Sequence, residues 1–114
     1  MEKRKITEQL NTRLTTLQIH IINQVPVSDG IKKLVHTTDR LAETLKNNFI
    51  NTYDNTEIID ELLYLVKALK HFWGIKRSID PRIEQQNDPN KWLIDEIERI
   101  KSELYNLQNG YIQK

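Results

Sequence analysis

The chain has 114 residues, of which 38% are hydrophobic, and its 17 basic and 16 acidic side chains leave a net charge of +1. This length suits one domain, and the near balance of charge excludes a global field that would hold nucleic acid or an acidic membrane. The absence of cysteine excludes disulfides and thiolate metal sites, and it favours an intracellular location. With only three glycines and three prolines to make turns, the sequence predicts a single all-α domain over residues 1–114.

The first predicted helix covers residues 6–25. Its apolar residues recur at steps of four and three, which places them on one helical face. Pro26 is expected to stop this helix, and Ser28 offers an N-cap for the next one. The predicted face consists of Ile6, Leu10, Leu14, Leu17, Ile21 and Val25.

The second predicted helix, residues 30–51, repeats this pattern more weakly, because Thr38 occupies a position where an apolar residue is expected. The polar run 51–56 hydrogen-bonds readily to its own backbone and predicts a break. No glycine or proline enforces that break, so a continuous helix through this run stays an open alternative. The apolar positions are Ile31, Leu34, Leu41, Leu45 and Phe49.

The third predicted helix, residues 56–79, is the most apolar part of the chain. Two overlapping stripes fit it, and a helix that is apolar over so wide an arc needs neighbours on more than one side. Pro81 and Pro89 bracket the polar stretch 82–88, and an exposed loop is predicted over residues 80–88. The stripes are Ile58, Leu62, Leu65, Leu69, Phe72 and Ile59, Leu62, Val66, Leu69, Trp73.

The last predicted helix, residues 89–110, has the clearest pattern. Asp88 followed by Pro89 is a typical helix start, and Gly110 is a typical stop. Trp92 either fastens the preceding loop or meets another chain, and both interpretations stay open. Apolar residues at alternating steps of four and three predict a seam against other helices. This seam consists of Leu93, Ile97, Ile100, Leu104, Leu107 and Tyr111.

Together these elements predict long amphipathic helices in a helical hairpin or four-helix-bundle assembly. The third helix offers more apolar surface than three short neighbours need, which predicts that helices of a partner protein complete the bundle. The predicted partner interface is Leu62, Leu65, Leu69, Phe72, Trp73, Leu93, Ile97, Ile100, Leu104 and Leu107.

Residues suited to catalysis or metal binding are few. No histidine has a carboxylate three residues before it, as carboxylate-bridged metal bundles require. The adjacent carboxylates at 60–61 and 95–96 point about 100° apart on a helix and are expected on a solvated face. No phosphate-binding glycine loop is present. The sequence therefore predicts a non-enzymatic protein without cofactor, metal or small-molecule substrate. Its histidines are His20, His36 and His71.

A cluster of basic residues supports an alternative. Lys67, Lys70, Lys76 and Arg77 lie along the far end of the third predicted helix, around Trp73. A basic helix with an aromatic residue can follow a phosphate backbone, although earlier acidic residues in this helix balance the charge. The alternative to a protein-interaction subunit is thus a small helical nucleic-acid-associated protein of a virus or mobile element.

Three blocks carry a family resemblance. The run 60–73, DELLYLVKALKHFW, resembles the central helix of the Mediator complex subunit 22 (surfeit locus 5) family, in which an acidic residue and paired apolar residues precede spaced leucine, basic and aromatic residues. Residues 95–97 and 103–107 with Tyr111 are similar to the family's acidic, tyrosine-containing last helix, and residues 10–22 lie where its first helix would be. Gly74 departs from the pattern, as does the proline-bracketed loop that follows it.

The resemblance implies an all-helical scaffold subunit of the Mediator head module, located in the nucleus. By the same resemblance it pairs with Mediator subunit 11 and the C-terminal part of subunit 17, and it supports RNA polymerase II transcription. No residue would be catalytic, and the apolar seams of the third and last helices would be the functional surfaces.

Overall fold

The computed structural model describes residues 3–49, 53–75 and 80–108, and side chains within 3–48, 57–75 and 80–107. The described residues form helices and no strand, which confirms the predicted all-α class. The helices are α1 (Lys3–Ile22), α2 (Asp29–Phe49), α3 (Tyr53–Phe72), α4 (Pro81–Glu84) and α5 (Pro89–Gln108).

The four long helices form a closed ring. Helix α1 packs against α2 and α5, and α3 packs against the same two helices from the opposite side. Gln18, near the end of α1, donates a hydrogen bond to the carbonyl of Ile94, near the start of α5, so these two helices run antiparallel. One chain therefore supplies a four-helix bundle by itself, whereas the sequence suggested that partner helices complete it.

The junction between α1 and α2 follows the predicted chemistry, although α1 ends three residues earlier than expected. Gln24 adopts a left-handed conformation with φ of 54°, and the Val25 N–H donates to the His20 carbonyl at 2.9 Å. This pattern is a Schellman turn, which ends the helix before Pro26 is reached. The Ser28 hydroxyl then accepts the Ile31 N–H at 3.2 Å, as an N-cap does.

Helix α3 ends at Phe72 and not at residue 79. Gly74 has φ of +66°, a conformation that favours glycine, and its N–H donates to the His71 carbonyl at 3.0 Å. The predicted loop 80–88 also contains a helix, α4. Asp80 caps this helix by accepting the Arg82 N–H at 3.0 Å, and Pro81 occupies its first turn.

Helix α5 begins at Pro89 as the sequence predicts, and Asp88 accepts the Lys91 N–H at 3.2 Å. Several predictions lie outside the described residues: the side-chain position of Phe49, a continuous helix across 50–52, the basic residues Lys76 and Arg77, the Gly110 stop and the Tyr111 end of the seam.

The core is built from one buried stripe on each of α1, α2 and α5 and from a wider buried face on α3. The five α1 positions from Ile6 to Ile21 are all buried, as predicted. In α2 the prediction is corrected, because Leu34 and Leu41 lie at the edge of the core and Thr38 lies in its centre. The Thr38 hydroxyl is satisfied by donating to the Leu34 carbonyl at 2.7 Å. The buried α2 stripe is Ile31, Val35, Thr38, Ala42 and Leu45.

Candidate interaction surface

The ten residues predicted to face a partner occupy the chain's own core. Nine of them are buried, and Phe72 is half-buried at the edge. The prediction assumed short neighbours for α3, but α2 has 21 residues, α5 has 20, and α4 packs against α3 as well. The wide apolar arc of α3 does have neighbours on more than one side, and they come from the same chain.

An open groove lies at one end of the bundle, where α1 ends, α3 ends and α5 begins. Its volume is about 650 Å³. We call it the end groove and define it by four apolar side chains that are exposed or half-buried and line it. They are Ile22, Val25, Phe72 and Ile94.

Large apolar side chains are exposed at the end of α1 and just beyond it. Ile22 is 55% exposed within the groove, and Ile19 and Val27 on the same stretch of chain are 48% and 42% exposed. In the described part of the chain the other exposed large hydrophobic residues are Tyr64 and Tyr105, whose hydroxyls suit a wet surface. Exposed aliphatic side chains are therefore concentrated around one end of the bundle.

The rim of the end groove is polar and carries both signs of charge. Asp88 and Lys91 lie on the α5 side of the groove, and His20 and Gln24 lie on the α1 side. An apolar centre with a mixed polar rim is the usual composition of a protein–protein interface.

A second feature fastens α4 to the bundle, and we call it the Arg82 clasp. The Arg82 guanidinium forms an ion pair with Asp80 at 2.7 Å and donates to the Tyr64 carbonyl at 2.7 Å. Its carbon lies 5.5 Å from the Tyr64 ring centre and 5.4 Å from that of Trp92. Trp92 therefore contacts the loop, as the first of the two interpretations of its position predicts.

The Asp80 carboxylate of this clasp is almost fully buried. Its pKa lies below the ordinary value because the Arg82 side chain donates hydrogen bonds to it, and this effect outweighs the opposing effect of burial. Sequence reasoning missed the clasp, although Asp80-Pro81 repeats the Asp-Pro signature that predicted the start of α5. It also missed Gln18, a buried side chain whose amide donates a hydrogen bond to the Glu98 carboxylate of α5 at 3.0 Å.

The histidine and acidic side chains that could serve in catalysis or metal binding are dispersed. Within 3–49, 53–75 and 80–108 no group of three histidine or acidic side chains could hold a metal ion. The Nδ1 atom of His71 accepts the Asp80 N–H at 2.7 Å, whereas His20 lines the end groove. Glu61 and Glu96 both pair with Arg99, at 2.7 and 2.9 Å, and these bonds raise the pKa of that arginine.

The basic cluster near the end of α3 is only partly described. Lys70 forms an ion pair with Asp39 of α2 at 2.7 Å, so its charge is neutralised by the neighbouring helix. Lys67 is exposed, while Lys76 and Arg77 lie outside the described residues.

Comparison with known proteins gives no relative: no family model, no curated protein and no solved structure matches the chain. None of the helices in the described ranges is long and apolar enough to cross a membrane. What the fold defines is a class, an all-α four-helix bundle with a short accessory helix.

Proposed function

We propose that this protein is a non-enzymatic interaction subunit that binds an amphipathic helix of another protein in the end groove. The observation that carries the proposal is the exposure of Ile22 within the groove, with Ile19 and Val27 exposed on the same stretch of chain, on a bundle that buries its helix seams. Apolar surface concentrated in this way is typical of a binding site.

The composition of the groove indicates what binds there. Half-buried Phe72 and Ile94 lie beside exposed Ile22, so an incoming apolar side chain gains contacts with three helices of the bundle. Asp88 and Lys91 at the rim can pair with charges of either sign that flank the apolar face of a partner helix. A helix with apolar residues three and four positions apart has the chemistry that this groove complements.

The test is site-specific cross-linking. Ile22 is replaced by a photoreactive phenylalanine analogue in the full chain, and Tyr105, which is 60% exposed on α5, is replaced in the same way as the matched control. The expected result is that one identified protein cross-links at position 22 and not at position 105. Equal cross-linking at the two positions would contradict the proposal.

Affinity measured with that purified protein completes the test. Ile22→Glu places a charge in the apolar centre and should weaken binding at least about tenfold, while Tyr105→Glu should leave it unchanged. Both variants should retain the wild-type melting temperature, because both side chains are exposed. An Ile22→Glu protein that binds normally would exclude the end groove as the interface.

The finer form of the proposal names the partners. Mediator subunit 11 and the C-terminal part of subunit 17 are the partners implied by the resemblance of residues 60–73 and 95–107, and a role in nuclear RNA polymerase II transcription would follow. The support is the sequence pattern alone, because those seams are internal. Failure of these purified subunits to bind would refute this identity and leave the end groove to be tested with other partners.

A further inference from the structure

We propose that a second pocket binds a small, doubly charged oxyanion of the phosphate class. The pocket lies between the first half of α2 and the turn that ends α3, and its volume is about 380 Å³. We call it the basic pocket, and this inference does not depend on the proposed partner binding. It is lined by Lys32, Lys33, His36, Gly74 and Ile75.

The charge of the two lysines in the basic pocket is only partly balanced by nearby carboxylates. Neither Lys32 nor Lys33 forms an ion pair with a carboxylate of the described residues. Asp39, one turn beyond His36 on α2, is already bound by Lys70 at 2.7 Å. Asp29, in the first turn of α2, is the acidic residue closest to the lysines in sequence. Two ammonium groups against this one carboxylate leave the pocket positive.

The turn at the end of α3 gives the pocket a backbone wall. Gly74 is held in its left-handed conformation, and a Cβ atom added there would meet nothing within 4 Å, so the space beside it is open. Ile75 is buried and fixes the turn against the core. This glycine leaves room for a ligand beside the turn, while its own N–H is already donated to the His71 carbonyl.

The charge and the size of the pocket select the ligand. Lysine binds phosphate as a compact point charge, and two lysines match the charge of a dianion. A volume of about 380 Å³ holds a phosphate or pyrophosphate group.

Calorimetric titration with pyrophosphate tests the proposal. The wild-type chain should bind pyrophosphate, and the double variant Lys32→Gln/Lys33→Gln should bind at least about tenfold more weakly. Lys46→Gln removes another α2 lysine that has no ion pair within the described residues, and it should change the affinity less than twofold. Equal losses of affinity in the double variant and in Lys46→Gln would show that only the net charge of the protein matters, and would overturn the proposal.

Further variants distinguish a small-anion site from a surface that attracts any polyanion. Lys32→Arg/Lys33→Arg keeps both charges and should retain binding, and circular dichroism should show that each variant is folded. A single-stranded oligonucleotide that binds in a lysine-dependent way, when pyrophosphate does not, would overturn the small-anion assignment. Absence of pyrophosphate binding to the wild-type chain would also overturn it. Ile22→Glu should bind pyrophosphate normally, so failure of the partner-binding proposal and failure of this one are distinguishable.

Discussion

The α5 seam and the end groove are built from the same kinds of residue and have opposite surroundings. Ile97, Ile100 and Leu104 are fully buried between α1 and α3, whereas Ile22 at the end of α1 is 55% exposed. A regular helical period shows that a face is covered, but it does not show whether the cover belongs to the same chain. The exposed aliphatic residues of the described chain lie in the last turn of α1 and just beyond it.

The largest effect on stability is expected when a charge is placed in the α5 seam. Ile100→Asp should unfold the protein, because an unpaired carboxylate in a dry core costs several kcal/mol, a large part of the about 5–15 kcal/mol that stabilises a typical domain. A thermal melt followed by circular dichroism measures the effect.

Tyr105→Asp is the matched control for that variant, since it adds the same charge to an exposed position of the same helix. Its free energy of unfolding should stay within about 0.5 kcal/mol of the wild type. An Ile100→Asp chain that melts like the wild type would show that the α5 seam is not packed within the chain, and would make that seam a candidate partner-facing surface again.

The second prediction has an effect of intermediate size and concerns the Arg82 clasp, whose Asp80 carboxylate is buried like the α5 seam. Asp80→Asn should lower the free energy of unfolding by about 1–3 kcal/mol at neutral pH, because it removes a buried charge-assisted hydrogen bond. Chemical denaturation, followed by the far-ultraviolet signal of the helices, gives this difference.

The pH dependence of the clasp has a definite sign. Because the folded pKa of Asp80 lies below the unfolded value of about 3.9, the stabilisation is complete above that value and is lost as the pH falls through the folded pKa. The wild type and Asp80→Asn should therefore converge in stability in strong acid. A difference that stays constant from neutral pH into strong acid would show that the ionised carboxylate is not the stabilising form.

Local signals are sufficient to predict much of the fold. The buried stripe of α1 and the caps at Ser28 and Asp88 depend on residues near one another in sequence, and each is confirmed. The predicted end of α3 lies too late because the apolar pattern continues past Gly74, whereas the left-handed φ of this glycine stops the helix. Helix α4 is not predicted from the sequence, although Asp80-Pro81 is a typical helix start.

The end groove and the basic pocket could not be predicted in the same way. The end groove joins Ile22, Phe72 and Ile94, which come from three helices and meet only after the bundle closes. The basic pocket likewise joins the start of α2 to the turn after α3. Periodicity within a segment carries no information about which helix ends come together, so these sites emerge only from the tertiary arrangement.

The smallest predicted effect concerns the backbone beside the end groove. Gln24 is the one residue other than glycine with positive φ in the described part of the chain, and it lines the groove. Gln24→Gly should raise the free energy of unfolding by about 1 kcal/mol, because the left-handed conformation costs a side-chain-bearing residue that much and glycine little. Equilibrium denaturation measures this gain.

Asn23→Gly is the control, because Asn23 is an exposed neighbour that does not have positive φ. That variant should lower stability slightly or leave it unchanged, since glycine adds freedom to the unfolded chain. Equal effects of the two substitutions would remove the argument for strain at Gln24. A gain confined to Gln24→Gly would show that the left-handed turn that ends α1 stores backbone strain beside the end groove.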